Sequence, residues 1–312
     1  CWIGNIFESD TNPCTEDNGF PKCGTTDLAA RISHHPQILG RFKEFHFWSK
    51  LRKDTQGGLI DTFKPYVDMF DMIAENIRND IKLRSHSDAI TGDNSPSTVF
   101  FYNGEYDGNG PVIINADIMK HISPSTTKYI CILRDPVERS LSEYYYWHNE
   151  EGAIKSNMNH SQYYHVMVQD GIRRFEECAS NNPLRYCVYL LSRKGFGRGA
   201  MFRVALGIYH VFLDDWIKVV GKDALLVLKM EDLRTNLTGV MTSVFDHLDV
   251  KPRLENLEEE YTRKILSNEK QNVQTNRQDM LQATRVLLQK FYNGHNKILR
   301  YVLDNEKYNW GY

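Results

Sequence analysis

The chain has 312 residues, of which 41% are hydrophobic and 25% charged, and this composition excludes intrinsic disorder as its main state. Its 38 Lys and Arg residues nearly balance its 40 Asp and Glu residues, so the formal net charge is only -2. Any polyanion must therefore be bound by local basic clusters, which argues against a general nucleic-acid-binding protein. No apolar run approaches the roughly 18 residues that a membrane-spanning helix needs, so the sequence predicts no such helix.

The chain carries no internal repeat, low-complexity tract or flexible linker that would divide it. We predict one domain over residues 19–312, preceded by a loosely attached arm of residues 1–18. The chain begins with Cys1 and not with methionine, which suggests a mature or truncated product; a targeting segment, if there is one, lies outside it. Residues 15–19 are polar and predict a poor strand. After the arm, strand-like and helical apolar patterns alternate, which predicts an α/β fold with a central parallel sheet flanked by helices.

The spacing of apolar residues indicates the main elements. Helical periodicity predicts helices over residues 25–34, 59–73, 202–220 and 281–299. Two apolar runs lack the polar alternation of a half-exposed strand, residues 129–133 and 224–228. These runs predict buried, central strands of the parallel sheet.

The six cysteines and two glycosylation sequons bear on the compartment of the protein. Cys178 and Cys187 flank a turn-rich stretch that could close a short loop, so a disulfide between them is predicted. The sequons Asn159–Ser161 and Asn236–Thr238 also fit a secretory route, although such triplets occur often by chance. The alternative is six buried thiols in a cytosolic protein, where disulfides are rare.

The segment Pro21–Leu28 combines a lysine, a glycine and two threonines at the predicted start of a helix. The N–H groups of a first helical turn point outward, and the helix dipole adds positive potential. Gly24 allows an anion to approach the backbone closely, and Lys22 supplies a full charge. We predict a phosphate-type anion site here; the alternative is a capped helix with a solvated lysine.

A second candidate segment follows the predicted strand that ends at Leu133. Arg134 lies at its carboxyl end, which is where open α/β sheets bind ligands. Pro136 is suited to the first turn of a helix, which would bring Ser142 close enough to share one phosphate with Arg134. The alternative is an Arg–Asp salt bridge at the start of an ordinary amphipathic helix.

Taken together, the segments PKCGTTDL and RDPVERSLSEYYYW resemble the paired nucleotide signatures of sulfotransferases that use 3′-phosphoadenosine 5′-phosphosulfate (PAPS). The resemblance extends from about residue 19 to the C-terminus, includes Gly92–Ser97, and is nearest to the N-acetylgalactosamine 4-sulfate 6-O-sulfotransferase group. It implies a P-loop-like three-layer fold. It also implies that the 3′-phosphate is bound by Arg134 and Ser142. The 5′-phosphosulfate is expected to be bound by Lys22, Cys23, Gly24, Thr25 and Thr26.

The segment Lys43–Trp48 supplies the expected catalytic groups. Its alternation of polar and apolar residues predicts a strand with Glu44 and His46 on one face. In the similar sulfotransferases a Lys-Glu-x-His segment carries the base, so the resemblance assigns that role to Glu44. Lys22 is expected to stabilise charge on the bridging oxygen, and His46 to orient Glu44 or the acceptor. The alternative is a surface strand with solvated charges.

The resemblance implies a Golgi-lumenal enzyme, the lumenal part of a type II membrane protein whose anchor lies outside this chain. Its expected partner is a sulfated glycosaminoglycan acceptor, with PAPS as donor co-substrate and no nucleic acid. No metal is expected, since the sequence contains neither CxxC pairs nor HExxH. Heparan sulfate or another glycan as acceptor, and a non-catalytic glycan-binding relative, remain alternatives.

Overall fold

The computed structural model describes residues 15–17, 20–40, 45–51, 63–102, 104–147, 158–193, 202–267 and 278–312. The strands are β1 (Thr15–Asp17), β2 (Gly92–Asn94), β3 (Tyr106–Asp107), β4 (Gly110–Pro111), β5 (Lys128–Leu133) and β6 (Leu225–Lys229). The α-helices up to residue 193 are α1 (Thr25–Ile32), α2 (Phe63–Asp68), α3 (Asp71–Arg84), α4 (Asn115–Ile122), α5 (Pro136–Trp147), α6 (His160–Asn181) and α7 (Leu184–Arg193). The later ones are α8 (Tyr209–Val220), α9 (Met230–Thr235), α10 (Leu237–His247), α11 (Glu259–Ile265) and α12 (Gln282–Leu303). The fold is mixed α/β, which confirms the predicted class at that level, and the structure shows it to be mostly helical. The P-loop-like three-layer arrangement stays a prediction.

The chain forms two compact units. The first comprises Cys1–Val99, Asn115–Leu133 and Ile217–Gln271, and the second comprises Phe100–Ile114, Arg134–Trp216 and Asn272–Tyr312. Among the described helices, none is both long enough and apolar enough to cross a bilayer.

The first unit contains a parallel sheet in the order β1-β5-β6. Strand β5 lies in the middle, and its residues Ile130–Leu133 are fully buried, as expected of a strand covered on both faces. Strand β6 pairs with β5 from Tyr129 opposite Leu225 to Leu133 opposite Lys229. The two predicted strands are therefore confirmed, but β6 is an edge of the described sheet and only partly buried.

The prediction of a poor strand before the lysine segment is wrong. Residues Thr15–Asp17 pair in parallel with β5, with Thr15 opposite Lys128 and Asp17 opposite Ile130. Strand pairing uses backbone N–H and C=O groups, and β5 offers a long, buried edge for it. A polar tripeptide can therefore be a strand when its partner supplies the apolar surface.

The apolar stripe predicted as one helix over residues 59–73 is two helices, and Leu59 lies outside the described residues. The chain turns at Met69–Phe70, between α2 and α3. The rings of Tyr66 and Phe70 pack edge to face with centroids 5.4 Å apart, so both are buried although the helix is interrupted. The periodicity of apolar residues correctly indicated which side chains are buried, but it could not indicate the turn between the two helices.

The later predicted helices are largely confirmed as α8 and α12. The stretch before α8 is a 3₁₀ turn, Val204–Gly207, and not α-helix. A Cβ on Gly207 would lie 2.5 Å from the ring of Tyr292. This close approach of the turn to α12 is possible only because residue 207 has no side chain.

The second unit contains the predicted disulfide. Cys178, near the end of α6, is bonded to Cys187 in α7, with their Cα atoms 5.8 Å apart. Only Asn182 and Pro183 connect the two helices. The bond therefore fixes the end of one helix to the first turns of the next.

Candidate active site

The segment Lys22–Thr26 forms a tight turn that leads directly into α1. The backbone N–H of Cys23 donates to the carbonyl of Phe20. Lys22 and Gly24 both have left-handed backbone conformations, with φ 69° and 92°. Left-handed φ costs a non-glycine residue about 1–2 kcal/mol, so the turn at Lys22 is held by its surroundings and is not a relaxed loop.

Gly24 precedes the first residue of α1 and has no side chain with which to cap the helix. A Cβ added there would lie 3.2 Å from Cγ of Met230, at the start of α9. The side chain of Met230 therefore packs closely on Gly24, where a larger residue would crowd it. The start of α1, with the half-exposed Lys22 and Thr26 beside it, has the backbone geometry of a general anion site.

The other two residues of the predicted anion site face inward. Cys23 is fully buried and Thr25 nearly so. Their backbone N–H groups can still contribute to an anion site, since such sites are built largely from the backbone. The predicted helix over residues 25–34 is confirmed as α1, which begins at Thr25 as predicted and ends at Ile32.

Glu44, the expected base, and Lys43 lie outside the described residues. His46 is described, and the predicted strand around it is wrong. Phe47–Leu51 is a π-helical turn, and His46 itself has φ 54°. The consecutive residues Phe47, Trp48 and Ser49 are all buried, because the two aromatic rings pack around Tyr66. In a strand, successive side chains would instead lie on alternating faces.

His46 is surrounded by hydroxyl groups. Its backbone N–H donates to Oγ of Ser95 over 2.9 Å, and its Nδ1 lies 2.7 Å from Oγ of Ser97. Oγ of Ser97 is also 2.6 Å from Oγ of Ser49. The hydroxyl of Ser95 donates to Asp93, so a buried polar network supports the histidine from two sides.

The resemblance includes the segment Gly92–Ser97 but implies no role for it, and its contacts with His46 are a finding of the structure. Ser49, Asp93, Ser95 and Ser97 were not predicted as site residues. Every residue from Ile90 to Phe100 is buried, although the stretch is polar. A polar run with two serines around a proline is the sequence signal that could have identified it, since buried polar groups are retained where they make hydrogen bonds.

In the second unit, Arg134 and Asp135 precede α5. The carbonyl of Arg134 accepts a hydrogen bond from the hydroxyl of Tyr209 over 2.8 Å. Asp135 accepts one from the N–H of Val137 at 2.9 Å and one from the hydroxyl of Tyr312 at 2.8 Å. Asp135 thus caps α5 and ties it to the C-terminus, while the Arg134 side chain is half-exposed.

Ser142 lies in α5, between two residues of a buried charge cluster. Arg139 donates to Glu143 over 2.6 Å, and Arg203 donates to the other oxygen of Glu143, with 2.7 Å at its Nε. Burial by itself would raise the pKa of Glu143, but Arg203 and Arg139 outweigh it and hold that pKa below its ordinary value. The cluster fixes the helix that carries Ser142, which is itself buried.

The fold and these segments define the class of protein. Residues 18–296 match the sulfotransferase domain family, and the chain belongs to this family of PAPS-dependent enzymes. The sequence-based assignment to that family is confirmed.

Two curated relatives are similar to this chain over most of its length. The chain is 32% identical over 311 residues to carbohydrate sulfotransferase 15 of Mus musculus, an alignment that covers 94% of this chain and 53% of the relative. The figures are the same for carbohydrate sulfotransferase 15 of Homo sapiens. The chain therefore spans about half the length of the curated relatives it matches.

A solved structure shares the fold. The crystal structure of a sulfotransferase from Alicyclobacillus acidocaldarius aligns with a TM-score of 0.57 at 17% sequence identity, over 95% of this chain and 97% of that one. At this identity the likeness concerns the fold alone.

Proposed function

We propose that this protein transfers a sulfuryl group from PAPS to a hydroxyl of a sulfated galactosamine glycan, with the 6-hydroxyl of N-acetylgalactosamine 4-sulfate in chondroitin or dermatan sulfate as the acceptor position. The observation that carries the proposal is the uncapped start of α1, preceded by the left-handed Lys22 and Gly24, in a chain of the sulfotransferase family. The similarity to carbohydrate sulfotransferase 15 supports a glycan acceptor. The P-loop-like three-layer fold is part of the same proposal.

The donor supplies an activated sulfuryl group and a good leaving group. In the proposed assignment Lys22 and the turn Cys23–Thr26 bind the 5′-phosphosulfate, and Arg134 with Ser142 binds the 3′-phosphate. Lys22 neutralises the charge that develops on the bridging oxygen as its bond to sulfur breaks. These roles need only backbone N–H groups, hydroxyls and two cationic side chains.

Glu44 is the proposed base. As the acceptor oxygen forms its bond to sulfur, the carboxylate takes the proton of that hydroxyl, and 3′-phosphoadenosine 5′-phosphate leaves. A positioned carboxylate can contribute about 10²–10⁴-fold to such a step. Lys22 and His46 complete the proposed catalytic set, with His46 orienting Glu44 or the acceptor.

A Golgi-lumenal location, as part of a type II membrane protein, belongs to the proposal as well. The Cys178–Cys187 disulfide supports it, because disulfides persist in oxidising compartments. The exposed sequon residues Asn159 and Asn236 are compatible with it.

The base is tested by Glu44→Gln, with sulfuryl transfer and binding of 3′-phosphoadenosine 5′-phosphate measured separately. We expect transfer to fall by at least about 100-fold while nucleotide binding changes little. Glu75→Gln, on the exposed side of α3, is the matched control. Undiminished transfer by the Glu44 variant would remove Glu44 as the base.

The 3′-phosphate assignment is tested by Arg134→Ala. This change should weaken binding of 3′-phosphoadenosine 5′-phosphate far more than binding of adenosine 5′-phosphosulfate, which lacks the 3′-phosphate. Arg174→Ala, a change at an exposed arginine of α6 in the same unit, is the control. Equal losses for both nucleotides would contradict the assignment.

The acceptor is tested with labelled donor and a panel of chondroitin 4-sulfate, dermatan sulfate and heparan sulfate. Transfer to the first two, at the 6-hydroxyl, is the expected result. Transfer to heparan sulfate alone would move the enzyme to another acceptor class. Nucleotide binding without any transfer would identify a non-catalytic glycan-binding relative.

A further inference from the structure

The two residues directly before α5 are each held by a tyrosine hydroxyl. The hydroxyl of Tyr209, the first residue of α8, donates to the carbonyl of Arg134 over 2.8 Å. The hydroxyl of Tyr312 donates to Oδ1 of Asp135, also over 2.8 Å. The two tyrosines are 75 and 177 positions away in the chain from the residues they hold, so this support comes from the tertiary fold of the second unit.

Asp135 extends this support to the start of α5. The oxygen that accepts the hydroxyl of Tyr312 also accepts the backbone N–H of Val137, at 2.9 Å. Hydrogen bonds to a carboxylate are about twice as strong as those between neutral groups. The hydroxyl of Tyr312 therefore helps to fix the first turn of the helix that carries Ser142, as well as the residue next to Arg134.

The backbone turns sharply just before Tyr312. Trp310 and Gly311 both have left-handed conformations, with φ 47° and 75°. This conformation is strained for Trp310, which has a side chain, so contacts must hold it. The centroid of its ring lies 6.1 Å from that of Tyr209 and 6.3 Å from that of the buried Tyr308. The turn is therefore held by packing, and its tryptophan lies between the two tyrosines that support the start of α5.

The hydroxyl of Tyr312 keeps its proton. Burial raises the pKa of Tyr312 well above its ordinary value, and the nearby Asp135 raises this pKa further. The hydroxyl is therefore protonated at every pH below its ordinary pKa of about 10. The donor of the bond to Asp135 is thus present throughout the neutral range.

We propose that Tyr209 and Tyr312 are positioning residues for the proposed 3′-phosphate site, Tyr209 by holding the backbone of Arg134 and Tyr312 by holding the first turn of α5. The guanidinium of Arg134 and the hydroxyl of Ser142 can then bind one phosphate. A hydrogen bond weakens steeply when its direction is wrong, so both donors need a fixed backbone. This inference rests on the proposed function for the identity of the phosphate, but not for the anchoring of the backbone.

The anchoring is measured without nucleotide, by hydrogen exchange at the backbone N–H of Val137. This N–H donates to the oxygen that Tyr312 also holds. Tyr312→Phe should therefore raise its exchange rate about 10-fold, the size of one hydrogen bond. Tyr301→Phe, which removes the hydroxyl of an exposed tyrosine in the same unit, is the control and should leave the rate unchanged. An unchanged rate in Tyr312→Phe would overturn the proposal.

The positioning role is measured by calorimetry with two nucleotides. Tyr312→Phe should weaken binding of 3′-phosphoadenosine 5′-phosphate about 10-fold. Binding of adenosine 5′-phosphosulfate, which lacks the 3′-phosphate, should not change. Tyr209→Phe should have the same selective effect, and Tyr301→Phe should have none. A merely structural role would weaken both nucleotides equally or neither, and either result would contradict the proposal.

A double-mutant cycle tests whether Tyr209 acts through Arg134. In the background of Arg134→Ala, Tyr209→Phe should cause no further loss of affinity for 3′-phosphoadenosine 5′-phosphate, because the side chain that it positions is gone. Fully additive losses would show that Tyr209 acts in another way.

The two proposals fail in different ways. If Arg134→Ala itself weakens both nucleotides equally, the 3′-phosphate assignment of the proposed function is wrong, and the positioning role is wrong with it. If Arg134→Ala is selective for the 3′-phosphorylated nucleotide but the tyrosine variants are not, the assignment stands and only the positioning role is wrong.

Discussion

Removing the carboxylate of Glu143 should destabilise the second unit strongly. This side chain is 3% exposed, and it lies between Arg139 and Arg203, whose side chains are 0% and 2% exposed. Glu143→Ala would leave two guanidinium groups buried together without their shared counter-charge. Such a loss costs about 3–5 kcal/mol, which is far more than the average effect of a point mutation.

The expected size can be checked against the contacts. Three charge-assisted hydrogen bonds reach Glu143, one from Arg139 and two from Arg203. At about 1.5–3 kcal/mol each, the simple sum of these three hydrogen bonds exceeds the expected loss of stability. The expected loss is smaller because hydrogen bonds to one carboxylate are not additive. A loss of 3–5 kcal/mol raises the unfolding constant by about 150- to 4000-fold.

The assay is urea denaturation at pH 7. With a slope of about 2 kcal/mol/M, the midpoint of Glu143→Ala should fall by about 1.5–2.5 M. The control is Glu177→Ala, which removes an exposed carboxylate paired with Arg173 at the same i,i+4 spacing. Since exposed pairs contribute little, its midpoint should hardly move.

A combined variant separates charge from packing. Replacing Arg139 and Arg203 by methionine together with Glu143→Leu removes every charge of the cluster and keeps most of its volume. This variant should recover much of the stability that Glu143→Ala loses. If Glu143→Ala is no less stable than Glu177→Ala, or if the uncharged variant is the least stable of all, the reasoning from buried charge is refuted.

Three further predictions follow from the described contacts. The folded-state pKa of Glu143 is lowered, so the wild type should be more stable than Glu143→Gln by a constant amount at pH values above about 4.3. This difference in stability should shrink as the pH falls through the folded-state pKa of Glu143. Urea midpoints at pH 7, 5 and 3.5 test this, and a difference that grows in acid would contradict the prediction. Cys178→Ser should lower the free energy of unfolding by about 2–3 kcal/mol, because the disulfide no longer closes the loop. A reductant should destabilise the wild type by the same amount and should not destabilise the variant further. Gly24→Ala should lower the free energy of unfolding by about 1–2 kcal/mol and weaken nucleotide binding measured by calorimetry. Adding Met230→Ala should restore little of this stability, because the left-handed φ of 92° at residue 24 remains. Full restoration of stability would show that only the contact with Met230 matters.

The elements that the sequence predicted correctly are those with a local cause. The run Tyr129–Leu133 is apolar at every position, and such a run is buried wherever the chain places it. The turn at Gly24 precedes a helix because glycine tolerates the left-handed conformation there. The spacing of Cys178 and Cys187 across a short connection predicted their disulfide for the same kind of reason.

The errors have non-local causes. Thr15–Asp17 form a strand because β5 offers them an edge, and nothing in their own side chains signals it. Alternation predicted a strand around His46, but the packing of Phe47 and Trp48 on Tyr66 imposes a π-helical turn. Periodicity also joined α2 and α3, because it reports which side chains are buried and not whether the backbone hydrogen bonds continue.

The sequence by itself determined the family and the identities of the residues proposed to bind the donor, since these depend on residue types in fixed order along one segment. Only the tertiary structure revealed the hydroxyls of Ser49, Ser95 and Ser97 around His46, which are up to 51 residues away from it in the chain. The left-handed backbone of His46 and the burial of Glu143 between two arginines were likewise decided by packing. The physical reason is that hydrogen-bond partners and burial are properties of neighbours in space, and folding brings together groups that no local pattern relates.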